Sequence, residues 1–81
     1  MGASAEREQV ARVNAAWALR VHREHRGAHD AGHEVMSDAA RTCAVMGARQ
    51  ANLGEFDEAR SWALAFALLI DRARRCPRVA A

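Results

Sequence analysis

Four histidines fall within twelve residues of this chain, and no other cluster in the sequence is better suited to bind a ligand. They are His22, His25, His29 and His33, spaced by three, four and four residues. On a continuous helix, this spacing would align the four imidazoles in one stripe. If the helix instead breaks at Gly27, the histidines would gather at the corner between two helices.

Two or three imidazoles close together would favour a transition metal. Two neighbouring histidines would supply nitrogen ligands to Zn²⁺, Ni²⁺ or Cu²⁺, and Asp30 or Glu34 would add an oxygen donor. The alternative is a solvated polar corner, because Arg23 and Arg26 share the stretch and arginine disfavours a cation site. A histidine-based response to pH is the third interpretation.

The two cysteines, Cys43 and Cys76, are weaker candidates for chemistry. Met36, Cys43 and Met46 share a helical face, where soft donors would suit copper(I), but such a stripe is typical of a hydrophobic core. We therefore interpret Cys43 as a buried thiol. Cys76 has arginines on both sides, which would lower its pKa and allow oxidation or a link between two chains. An incidental thiol is the simpler interpretation.

The basic residues are all arginines, twelve against ten acidic residues, for a formal net charge of +2. This balance does not by itself indicate nucleic-acid binding. If nucleic acid were bound, the arginines near the C-terminal end would be the contacts. Their place at the end of a predicted helix, where positive charge opposes the helix dipole, explains them without a ligand. These residues are Arg72, Arg74, Arg75 and Arg78.

The sequence predicts a single all-α domain of three helices that position these residues. Alanine, the strongest helix former, is abundant, and no alternating run of β-formers suggests a strand. A chain of 81 residues buries only about 60% of its unfolded surface, so self-association or a larger partner would add stability. The predicted helices span about residues 4–26, 31–52 and 55–75.

Capping and turn residues set the predicted helix ends. Ser4 is a candidate N-cap for the first helix, and Asp30 or Ser37 for the second. Gly27 is placed to end the first helix in left-handed backbone, and Gly54 is a natural stop for the second. The single proline follows the third helix.

The apolar patterns of the helices indicate how they pack. In the first helix, Val10, Val13, Trp17 and Val21 recur at helical spacing and predict one apolar face. The third helix is apolar around nearly its whole circumference, which indicates a central, buried helix. Three short helices cannot easily cover it, so we expect part of it to meet a second subunit or another protein. The candidate contacts are Phe56, Trp62, Leu64 and Leu68.

The connection between the second and third helices resembles the middle of a tetratricopeptide repeat. Met46 and Gly47 match the large apolar residue and the glycine that pack helix A in that family. Gly54, Phe56 and Ala59 match its turn into helix B. On physical grounds Gly47 would allow close helix approach, Gly54 would take the turn, Phe56 would fill the corner, and Ala59 would lie where the backbones cross.

This resemblance covers one unit, about Cys43 to Cys76, and implies a protein-interaction scaffold without chemistry of its own. The match is partial, because Phe66 stands where the family usually has a small alanine. The first helix carries no second copy of the pattern. Stacked repeats normally need about three units, so this chain would not form a solenoid by itself.

The sequence therefore favours a helical protein–protein interaction module, an adaptor or an inhibitor of a larger complex, that forms a homo-oligomer. An enzyme is not indicated, because no catalytic triad order, phosphate loop or paired carboxylates are recognisable. The alternatives are a metal-binding or metal-sensing protein that uses Zn or Ni, and a nucleic-acid-associated regulator. With two cysteines, no secretory segment and a longest apolar run below the roughly 20 residues of a membrane span, we expect a cytoplasmic setting and no membrane partner.

Overall fold

The computed structural model describes residues 2–77 and, within them, contains three α-helices and no strand. Helix α1 spans Gly2–Arg26, α2 spans His33–Asn52 and α3 spans Phe56–Arg75. Each helix packs against the other two, and the α2–α3 contact is the most extensive. The predicted all-α, three-helix fold is confirmed.

The helix starts differ from those predicted by capping residues. Helix α1 begins before Ser4, so Ser4 is not its N-cap. The N-cap of α2 is Gly32, in extended backbone and without a capping side chain. The prediction of Asp30 or Ser37 as this cap is wrong, because Ser37 lies inside the helix and Asp30 lies two residues before the cap. A side-chain cap stabilises a helix start, but tertiary packing can hold the first turn without one.

Glycine ends α1 and α2 as predicted. Gly27 and Gly54 have φ angles of 67° and 80°, in the left-handed region that other residues seldom adopt. After Gly54 the chain reverses, and the backbone N–H of Glu55 donates to the carbonyl of Gln50 at 2.9 Å. This bond satisfies a carbonyl that the end of the helix would otherwise leave open.

The core between the helices is built mainly from alanine. Leu69 of α3 and Cys43 of α2 are its largest fully buried side chains. Small side chains allow the helices to lie close together, and they leave little room for larger apolar residues between them. Four larger residues pack against the core from its edge while staying partly exposed, namely Leu19, Trp62, Leu68 and Ile70. The core cluster itself is Ala11, Ala15, Ala18, Ala39, Ala40, Cys43, Ala65 and Leu69.

Helix α1 turns its larger apolar residues outward. The four residues of the face predicted from apolar spacing are each between 38% and 58% exposed. The alanines on the opposite side of the helix are buried. We call the exposed residues the apolar stripe; they are Val10, Val13, Trp17 and Val21.

Helix α3 is buried along one face only, although its middle is apolar on nearly all sides. The buried positions are Ser61, Ala65, Leu69 and Ala73. Leu64 is 39% exposed, so α3 is not covered all round. Within residues 2–77, no helix combines the length and the apolar character needed to cross a membrane.

Candidate functional site

A groove runs beside the apolar stripe, between α1 and the other two helices. Its walls include Met46 of α2 and Trp62 of α3, and Asn14 lies on the α1 side. Trp17 meets Trp62 edge to face, with ring centroids 5.9 Å apart and ring planes at 74°. This is a favourable geometry for an aromatic pair, and it fixes the stripe to the body of the domain.

The two ends of this groove carry opposite charge. The carboxylates of Glu6 and Glu58 line the end near the start of α1. At that end Arg7 also pairs with Asp57, with an N–O distance of 3.2 Å, so the carboxylates outnumber the single guanidinium. The other end is lined by Arg20. We call these the acidic end and the basic end of the groove.

The four residues predicted as partner contacts on α3 do not form one patch. Trp62 lies half-buried in the groove beside the apolar stripe. Leu68 is half-buried against the core. Phe56 is 63% exposed and lines a separate shallow groove on α2 and α3, so it does not fill the corner between the helices. Leu64 lines a further shallow pocket, together with Arg7 of α1.

Close helix approach occurs at Gly47. A methyl group added there would lie 3.3 Å from Cβ of Trp62 and 3.5 Å from the carbonyl oxygen of Ala59. These distances agree with the roles expected of Gly47 and Ala59 in the contact between α2 and α3. A relationship to tetratricopeptide repeats remains a prediction.

The four histidines do not share one site: two of them bond to different helices and two are exposed. Nε2 of His22 shares a hydrogen bond of 2.6 Å with the hydroxyl of Thr42 on α2. Nδ1 of His33 donates to the carbonyl of Ala73 on α3, at 2.8 Å. His25 and His29 are exposed. Within residues 2–77, no group of three or more His, Cys, Asp or Glu side chains is arranged to hold a metal ion.

Glu34, one of the two oxygen donors predicted near the histidines, belongs to an ion-pair network. Arg26, the last residue of α1, donates to Glu34 at 3.1 Å and, through Nε, to Asp38 at 3.0 Å. The hydrogen bond from Arg26 is the main reason that the pKa of Asp38 lies below its usual value. This network joins the end of α1 to the first turns of α2.

The arginines predicted as nucleic-acid contacts lie at the end of α3. Arg72, Arg74 and Arg75 are exposed, and Arg75 forms an ion pair with Asp71 one turn earlier. Arg78 lies outside the described residues. Charge at this position complements the carboxyl end of the helix, as expected.

The thiol of Cys43 is fully buried in the core. Burial raises its pKa to about 11, because the thiolate would lose its solvation. This agrees with the interpretation of a structural thiol. Cys76 is half-buried just after α3, and both cysteines are free.

Comparison with family models, curated proteins and solved structures finds no match for this chain. By its fold, the chain is a three-helix domain with a core built mainly from alanine.

Proposed function

We propose that this chain is a protein-binding module, and that its binding surface is the apolar stripe of α1 with the adjoining groove. The observation that supports this is the orientation of α1. Its tryptophan and three valines are exposed while its alanines are buried. Apolar side chains gathered on one side of a small domain typically mark an interaction site.

The composition of the surface also suits protein recognition. Tryptophan and methionine are enriched at interfaces, and Trp17, Trp62 and Met46 are neighbours here. The charged groups lie at the two ends of the groove, which leaves an apolar centre with polar ends. A rigid helix face of this kind accommodates another amphipathic helix laid along it.

The biological role that follows is an adaptor, or an inhibitor that covers a surface of a larger complex, acting in the cytoplasm without a membrane or cofactor. Of the contacts expected on α3, Trp62 belongs to the proposed surface. Phe56, Leu64 and Leu68 lie outside it and would take part only if the partner extends beyond the groove.

A site-specific photocrosslink tests the proposal in cells that produce the protein. A photoreactive phenylalanine analogue would replace Val13, in the stripe, or Val45, which is 66% exposed on α2 and serves as the matched control. We expect discrete protein adducts from position 13, few from position 45, and loss of the adducts when Val21→Glu is added. No adduct from position 13, or equal adducts from both positions, would contradict the proposed function.

A further inference from the structure

We infer that the partner on the apolar stripe is a second copy of this chain, bound antiparallel through α1. This inference rests on the proposed function and specifies its partner. The stripe residues follow one another after three, four and four positions, which is close to the alternation of three and four in a seam between two packed helices. A second α1 is therefore an occupant whose shape matches the surface.

The two ends of the stripe, Val10 and Val21, exchange places when α1 is turned end for end. The midpoint of the stripe lies between Ala15 and Ala16. An antiparallel copy centred there would set Val10 against Val21, and the centre of one groove against the centre of the other. The same surface would then be used by both copies, as a two-fold symmetric dimer requires.

Charge complementarity selects the antiparallel arrangement. The structure gives Glu6, Glu58 and Arg20 no ion pair within residues 2–77, although all three line the groove. In the antiparallel dimer, Arg20 of each copy would lie beside the acidic end of the other. A parallel dimer would instead bring like charges together at both ends, which disfavours it.

Distances between spin labels test this arrangement in the full chain. The background variant is Cys76→Ser, which removes the more accessible thiol and leaves the buried Cys43. One label is placed at Ala16, near the proposed two-fold axis, and another, in a separate protein, at Ala5; both positions are exposed. In an antiparallel dimer the two Ala5 positions would be separated by about 30 Å along the helices, from a rise of about 1.5 Å per residue.

We expect a short distance between copies at Ala16 and a long one at Ala5. Short distances at both positions would indicate a parallel dimer, and a long distance at Ala16 would indicate an interface elsewhere; either result overturns the inference. The inference would also be overturned if, at high protein concentration, neither labelled position gave dipolar coupling between the spin labels of two copies. In those cases the photocrosslinks from position 13 decide separately whether the stripe binds another protein.

Discussion

Trp17 of α1 and Trp62 of α3 meet edge to face at 5.9 Å, although Trp17 belongs to the exposed stripe and is 38% accessible. One side of the Trp17 ring therefore stabilises the packing of α1, while the rest remains open. A substitution of Trp17 would disturb both packing and binding. Val13 is 58% exposed and is the better position at which to test binding alone.

Replacement of the largest core side chain should strongly destabilise the domain. Leu69 is fully buried among alanines, which have few atoms able to move into an added space. We expect Leu69→Ala to lower the free energy of unfolding by about 2–5 kcal/mol. Urea denaturation at a fixed protein concentration measures this. The control Val45→Ala, at an exposed position, should change stability by less than about 0.5 kcal/mol; equal effects would disprove the assigned core.

The turn after α2 should depend on the left-handed backbone of Gly54. A methyl group at Gly54 would meet no atom within 4 Å, so only the φ angle of 80° opposes a side chain. We expect Gly54→Ala to cost about 1–2 kcal/mol. Gly54→Asn should cost less, because asparagine tolerates this conformation. Thermal melts of both variants test this explanation. A lower melting temperature for Gly54→Asn than for Gly54→Ala would refute it.

The all-α fold was predictable because several local signals agreed. Alanine favours helices throughout, and the glycines that end α1 and α2 take left-handed backbone. The orientation of α1 was not predictable from the same signals. The apolar stripe and the alanines at positions 11, 15 and 18 both recur at helical spacing, and only packing decides which set is buried. In this domain the smaller set allows the closer approach of the helices.

The surroundings of the histidines were also beyond sequence reasoning. Their spacing suggested mutual contacts, but the partners of His22 and His33 are Thr42 and the carbonyl of Ala73, far away along the chain. Such contacts depend on how the helices cross. Trp62 was predicted from the sequence as a partner contact and stays a prediction; its ring contact with Trp17 was not foreseen.

The two cysteines should differ in reactivity. Cys43 has no exposed surface and a pKa of about 11, so little thiolate forms at neutral pH. We expect a disulfide reagent to titrate one thiol per native chain and two in denaturant. The variant Cys76→Ser should show no rapid native reaction. Rapid labelling of Cys43 in that variant would show that the core opens readily.

The ion pair between Arg26 and Asp38 should make stability depend on pH. Contact with Arg26 lowers the folded-state pKa of Asp38 from its ordinary value of 3.8. The stabilisation by this ion pair is therefore complete above that ordinary pKa and is lost as the pH falls through the lower, folded-state pKa. At pH 7 the Asp38→Asn variant should therefore have a lower melting temperature than the unsubstituted chain. The difference between the two melting temperatures should shrink as the pH is lowered towards 2. The control Asp30→Asn, at an exposed position, should change the melting temperature at pH 7 little. A difference that grows on acidification would contradict the assigned ion pair.

The molar mass of the purified chain tests the central claim, that the apolar stripe is a binding surface occupied by a second copy. Light scattering would compare the unsubstituted chain with Val13→Glu in the stripe and Val45→Glu on α2, with helix content checked by circular dichroism. We predict a dimer for the unsubstituted chain and for Val45→Glu, and a folded monomer for Val13→Glu. An unsubstituted chain that stays monomeric at high concentration, or a Val13→Glu chain that stays dimeric, would contradict the claim.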